Sequence, residues 1–212
     1  MVAIIDYGMG NLRSVHKAFE TVGHRAVVTR DRRALSDASH LVLPGVGAFG
    51  DCMANLERYE LVEPIRNAIA AGKPFMGICL GLQLLFTESE EFGIHKGLDI
   101  VPGVVKRFPR CQGNGDSPSP GVHLKIPHMG WNSIEIEEVP PPLRGVESGA
   151  HVYFVHSYYV VPRDCSVVST VTQYGLAFVS SIWRDNIFAC QFHPEKSQSV
   201  GLRIVKNFSE WQ

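Results

Sequence analysis

The chain has 212 residues, 45% of them hydrophobic and 19% charged, with a formal net charge of −1. A balance this close to neutral gives no electrostatic basis for binding nucleic acid or an anionic membrane. No apolar run approaches the roughly 20 residues of a membrane helix, and the length suits one domain, residues 1–212, with a sizeable core.

The chain opens on Val2–Ile5, a short apolar run of the kind that forms a buried strand. From Asn11, apolar residues at Leu12, Val15, Ala18, Phe19 and Val22 fall at helical spacing, with Asn11 as N-cap and Gly23 as the stop. Ala26–Thr29 is a second strand. The basic cluster Arg30, Arg32, Arg33 is interrupted by Asp31 and reads as a solvated turn. Leu41–Leu43 is a third strand, ended by Pro44-Gly45. A helix over about Leu61–Ala71 stops at Gly72-Lys73-Pro74, Phe75–Ile78 is the next strand, and Leu80–Phe86 opens another helix. This alternation predicts an α/β fold with a parallel sheet flanked by helices.

After about residue 100 short strand-like runs dominate: Val101–Phe108, Ser133–Ile136, His151–Val155, Val167–Val171, Ala177–Trp183 and Ile187–Cys190. They read as antiparallel strands added to one side of the sheet. Pro109–Gly121 reads as a surface loop, Pro140-Pro141-Pro142 as a rigid turn, and Val200–Phe208 as a closing helix. Five scattered cysteines without a C-x-x-C pair argue against a disulfide framework or a zinc knuckle. Residues 1–25 lack the pattern of a signal peptide, so a reducing cytoplasm is expected.

One cysteine stands apart. In Gly77-Ile78-Cys79-Leu80-Gly81 it is centred between two glycines where a strand hands over to a helix. A nucleophile on so sharp a turn needs small neighbours, and a helix N-terminus stabilises thiolate. The alternative is a small buried cysteine packed under a helix. Cys52, Cys111, Cys165 and Cys190 lack the turn and read as structural. A base and an orienting group are found in Gln191-Phe192-His193-Pro194-Glu195, where an extended segment would project His193 and Glu195 to the same side. If Ile187–Cys190 neighbours Phe75–Ile78, all three groups lie at the carboxyl edge of the sheet. The loop Pro44–Gly50 contains G-x-G-x-x-G, but the strand that follows ends in Cys79 rather than in a ribose-binding carboxylate. Its glycines instead let backbone N–H groups approach an oxyanion, the candidates being Val46 or Gly47 and Leu80.

These motifs resemble the class I (triad) glutamine amidotransferases: the elbow GICLGLQ, the loop PGVGAF and the segment FHPE. Asp6-Tyr7-Gly8-Met9-Gly10-Asn11 and Pro127-His128-Met129-Gly130-Trp131-Asn132 are similar to segments of the imidazole glycerol phosphate synthase branch of that family. The resemblance implies the family's flavodoxin-like fold, a Cys79–His193–Glu195 triad, an oxyanion hole at Val46 and Leu80, and no cofactor or metal. It places Gly45, Gly47, Gln83, Glu91, His156, Ser157 and Tyr158 around the glutamine. It also implies a heterodimer with a (β/α)8-barrel cyclase, with Asp6, Tyr7, Gly8, Asn11, Met129, Trp131 and Asn132 at or near the interface. Other readings stay open: a glutaminase of another amidotransferase complex, a cysteine hydrolase with a similar elbow, or a lapsed glutaminase acting as a regulatory subunit.

Overall fold

The computed structural model describes residues 1–109 and 125–212. The chain begins β1 (Val2–Ile5), α1 (Leu12–Thr21), β2 (Ala26–Thr29), α2 (Arg32–Asp37), β3 (His40–Gly45), α3 (Phe49–Arg58), α4 (Val62–Ala70), β4 (Phe75–Cys79) and α5 (Leu80–Gln83). It continues through β5 (Phe86–Ser89), β6 (His95–Lys96), β7 (Val101–Arg107), β8 (His128–Ile136), β9 (Ala150–His156) and β10 (Tyr158–Pro162). The last elements are β11 (Val168–Tyr174), β12 (Leu176–Arg184), β13 (Ile187–Cys190) and α6 (Gln198–Ser209). No helix among the described residues is long and apolar enough to cross a membrane.

The sheet order is β2-β1-β3-β4-β13-β12-β10-β7-β5-β6, with β11 joining β12 to β8 and β8 to β9. Its first five strands pair in parallel. From β13 onward β12, β10 and β7 pair antiparallel, the added layer the sequence predicts. Strands β1, β4 and β13 are apolar and buried throughout because both faces are covered, whereas β2, at the sheet edge, is only partly buried. Alternate residues serve opposite cores. Ala3, Ile5, Leu41 and Leu43 pack with α3 and α4, whereas Val2, Ile4 and Val42 pack with Val15 and Phe19 of α1 and Ile204 and Phe208 of α6.

Four local expectations change. The basic stretch is not a turn: Arg32–Asp37 is helical because the Asp31 carboxylate accepts from Ala34 N at 2.7 Å and caps it. Helix α5 ends at Gln83, so Phe86 starts a strand. The carbonyls of Leu84 and Leu85 are taken by Leu98 N at 2.8 Å and by Ile100 N and Val101 N at 2.9 Å, which leaves the helix no ladder to extend. No helix is expected over Phe49–Arg58, whose first two residues read as part of the glycine-rich loop, yet Phe49, Cys52, Met53 and Leu56 line the buried face of a helix. Strand β8 begins at His128 rather than Ser133, so the segment His128–Asn132 is itself β-structure paired to β9. Of the expected loop Pro109–Gly121, everything after Pro109 lies outside the described residues, as does Cys111.

Candidate active site

Cys79 ends β4 and begins α5 with φ +56° and ψ −110°. A non-glycine residue rarely adopts this backbone, and surrounding packing must hold it there. The small neighbours are needed for close approach. A methyl at Gly77 would sit 2.7 Å from the Gly81 carbonyl oxygen, and one at Gly45 would sit 2.7 Å from Leu80 Cβ. A methyl at Gly81 would overlap the Leu43 carbonyl oxygen.

Strand β13 lies parallel beside β4, pairing Cys190 with Ile78. The chain then carries His193 to the same carboxyl edge. His193 is pinned through its backbone: its N–H donates to Tyr153 O at 2.9 Å, and Ser197 Oγ donates to its carbonyl at 2.7 Å. Glu195 sits in a short 3-10 turn, Pro194–Lys196, rather than in the extended segment the sequence suggests. The turn still brings its carboxylate to His193 Nδ1 at 2.8 Å, with both side chains 2% exposed. That contact makes Nδ1 the donor and leaves Nε2 directed to the sulfur side. Nε2 is buried without a regularly aligned hydrogen-bond partner, as is Glu195 Oε2. Burial opposes the charged imidazole, but the Cys79 sulfur and Glu195 outweigh it and raise the His193 pKa to about 10. The imidazolium is therefore the favoured form of His193.

Cys79 and His193 both line a cavity of about 390 Å³, and Glu195 contacts the imidazole without lining it. Val46, Gly47 and Leu80 line the same cavity. Gly47 has φ +99°, a backbone that glycine adopts readily, while Gly45 lies beneath Leu80. Gln83, Glu91, His156, Ser157 and Tyr158 line the rest. Burial raises the Glu91 pKa, and its carboxylate accepts from Phe49 N at 2.6 Å, which ties the cavity wall to the start of α3. Both N–H groups of Gln83 are engaged, with Tyr158 O at 3.1 Å and Gln191 Oε1 at 3.0 Å. Gln83 therefore offers a ligand its Oε1, an acceptor.

The segments expected at a partner surface divide. Met129 and Trp131 are 61% and 47% exposed on β8, beside Tyr153. Asp6 pairs with Arg30 at 2.6 Å and accepts from Gly8 N at 3.0 Å, and Asn11 caps α1. Tyr7 departs from a surface role. Its ring is fully buried, with the hydroxyl donating to Pro44 O at 2.9 Å under the cavity loop.

Two residues escaped the sequence reading. Gln191 and His128 belong to motifs quoted for other members, and no spacing marks either as functional. His156 Nδ1 donates to Tyr158 O at 2.8 Å, so its Nε2 must accept the 2.9 Å bond from His128 Nδ1. His128 Nε2 in turn accepts from Asn132 Nδ2 at 3.3 Å. Both imidazoles are held neutral: burial lowers the pKa of His128 to about 4 and of His156 to about 3. An unfolded histidine titrates near about 6.5. As pH falls below that value the unfolded chain takes up protons the native pair refuses, so stability drops toward pH 4. Each such histidine should contribute about 1.4 kcal/mol per pH unit. Urea unfolding of His128→Gln between pH 6.5 and 4.5 should show a slope shallower by about that amount, despite lower stability at pH 7.

The class-I glutamine amidotransferase family profile matches residues 3–210. The chain is 60% identical over 210 residues to the imidazole glycerol phosphate synthase subunit HisH of Syntrophotalea carbinolica, covering 99% of this chain and 100% of that one. It is 55% identical to the subunit of that name from Aquifex aeolicus, over 97% and 94% of the two chains. Among solved structures, one described as a glutamine amidotransferase covers both chains fully, at TM-score 0.70 and 18% identity. PurLQS from Thermotoga maritima superposes at TM-score 0.71 and 18% identity, over 98% of this chain and 96% of that one. With a profile spanning almost its whole length, the chain belongs to the class-I glutamine amidotransferase family.

Proposed function

We propose that residues 1–212 form one amidotransferase domain that hydrolyses glutamine as the glutaminase subunit of an imidazole glycerol phosphate synthase. The observation that carries the chemistry is the buried His193–Glu195 pair, whose imidazole lines the same cavity as a strained Cys79. The Cys79 thiolate attacks the side-chain carboxamide carbon, and the carbonyl electrons move onto oxygen. The oxyanion is received by the N–H groups of Val46 and Leu80, each worth about 2.7–4 kcal/mol in the transition state. As the tetrahedral species collapses, the C–N bond breaks and imidazolium His193 gives its Nε2 proton to the departing nitrogen, releasing ammonia. A glutamyl thioester remains. Neutral His193 then takes a proton from water, the hydroxide adds to the thioester carbonyl, and glutamate leaves as the thiolate is restored. Glu195 keeps the imidazole oriented and stabilises its charged form throughout.

Ammonia released to water is protonated and lost as a nucleophile, so the acceptor site must adjoin this one. The proposed partner is the (β/α)8-barrel cyclase, docked over Asp6–Asn11 and β8. Among the described residues Cys52, Cys79, Cys165 and Cys190 are free thiols, in keeping with a cytoplasmic setting. The assay is ammonia release from glutamine with and without the cyclase and its ribonucleotide substrate. Release that rises with both supports the assignment; release indifferent to both places the triad in another amidotransferase complex. Trp131→Ala should weaken cyclase binding by at least about tenfold in titration calorimetry, as an exposed tryptophan at the centre of an interface does.

A further inference from the structure

Gln191 is fully buried beside the nucleophile, and the structure gives its amide a direction. The Tyr158 carbonyl can only accept hydrogen bonds. It accepts from Gln83 Nε2 at 3.1 Å and from His156 Nδ1 at 2.8 Å. This fixes which end of the Gln83 amide is nitrogen. The remaining Gln83 N–H reaches Gln191 Oε1 at 3.0 Å, which turns Gln191 Nε2 to Cys79 Sγ at 3.7 Å. Amide ends are otherwise easily interchanged; here a backbone carbonyl, through two bonds, decides both.

We propose that Gln191 is a further catalytic residue, whose side-chain N–H donates to the Cys79 sulfur and stabilises its thiolate alongside His193. The proposal rests on the reading of Cys79 as the nucleophile. Around the sulfur the groups sort by charge state. The Val155 carbonyl, 3.8 Å away, accepts from the thiol and favours it. The amide of Gln191 and the imidazolium of His193 favour the anion. Burying a glutamine at 0% exposure is unfavourable unless its polar atoms are matched. Its oxygen is matched by Gln83, and the partner of its nitrogen is the reacting atom. In the resting enzyme the donor holds charge on sulfur. When the thioester forms, sulfur loses that charge and the bond weakens. On deacylation the bond is regained as thiolate leaves.

The test is the pH dependence of iodoacetamide alkylation of the intact chain, followed on the Cys79 peptide by mass spectrometry with Cys79→Ala as background. Gln191→Met fills a similar volume without a donor. It should move the midpoint of Cys79 alkylation up by about one pH unit, an approximately tenfold slower reaction on the acid side with the alkaline plateau unchanged. Gln191→Glu should move it further, because one carboxylate oxygen still accepts from Gln83 while the other faces the sulfur. Should Gln191→Met fail to fold, Gln83→Met provides the second variant: it frees the Gln191 amide to turn and should give a smaller rise. An unchanged midpoint, with only the melting temperature lowered, would reduce Gln191 to a packing role and overturn the proposal while leaving the triad intact. Absence of selective Cys79 alkylation in the parent chain at every pH would overturn the nucleophile reading itself, and this proposal with it.

Discussion

Cys79→Ala is expected to lower glutamine hydrolysis by at least about 10⁴-fold, in the presence of the cyclase and its ribonucleotide, without loss of the complex. The expectation follows from the site's construction. The proposed oxyanion donors and the His193–Glu195 pair remain when the sulfur is removed, but the atom that carries the acyl group in the proposed mechanism is gone. Cys52 is no substitute: burial pushes its thiol up to about 11, and its Sγ is engaged with Val46 O at 3.5 Å. The surface at Met129 and Trp131 is untouched by the change, so cyclase affinity should stay within about twofold, measured by calorimetry beside the ammonia assay. Hydrolysis that persists in Cys79→Ala would require a different nucleophile and would remove the proposed mechanism.

Gly81→Ala should be among the most damaging single methyls at the described residues, destabilising by more than about 4 kcal/mol or preventing folding. An added Cβ would overlap the Leu43 carbonyl oxygen and lie 3.0 Å from its carbon. Those atoms belong to the central strand β3, paired on both sides with β1 and β4, so they cannot move aside as a flexible side chain would. The same methyl would push α5 away from the sheet and with it the Leu80 N–H. Denaturant unfolding and the yield of folded protein measure the first effect. If enough folds, glutaminase turnover measures the second. A Gly81→Ala chain of near-native stability would mean that the elbow is looser than the structure has it.

The elbow was legible in the sequence because its constraint is local. Two glycines centred on Cys79 at a strand–helix junction have few other uses, and the positive φ at Cys79 is what they make room for. The alternation of β1–α1–β2 and the closing helix were legible for a similar reason, since helical and strand periodicities are set by neighbours a few residues apart. Phe49–Arg58 is the counterexample among regular elements. Its apolar spacing was present, but the preceding glycine-rich loop drew the reading toward phosphate binding and oxyanion chemistry instead of a helix start. The early end of α5 was not legible, because the groups that compete for the Leu84 and Leu85 carbonyls come from residues 98–101.

By itself, then, the sequence determined the α/β class, the parallel core with antiparallel additions, the sharp strand–helix turn at Cys79 and the His193–Glu195 pair, all of which rest on short-range spacing. The tertiary structure decided what depends on elements far apart in the chain meeting. It paired β13 with β4, which brings His193 to Cys79 across more than a hundred residues of sequence. It buried Tyr7 under the cavity loop instead of leaving it at the surface. It set the Tyr158 carbonyl where it orients Gln83 and, through it, Gln191. A hydrogen bond of that kind specifies which end of an amide faces a nucleophile, and no pattern of residue types along a chain encodes it, because its donor and acceptor become neighbours only when the sheet closes.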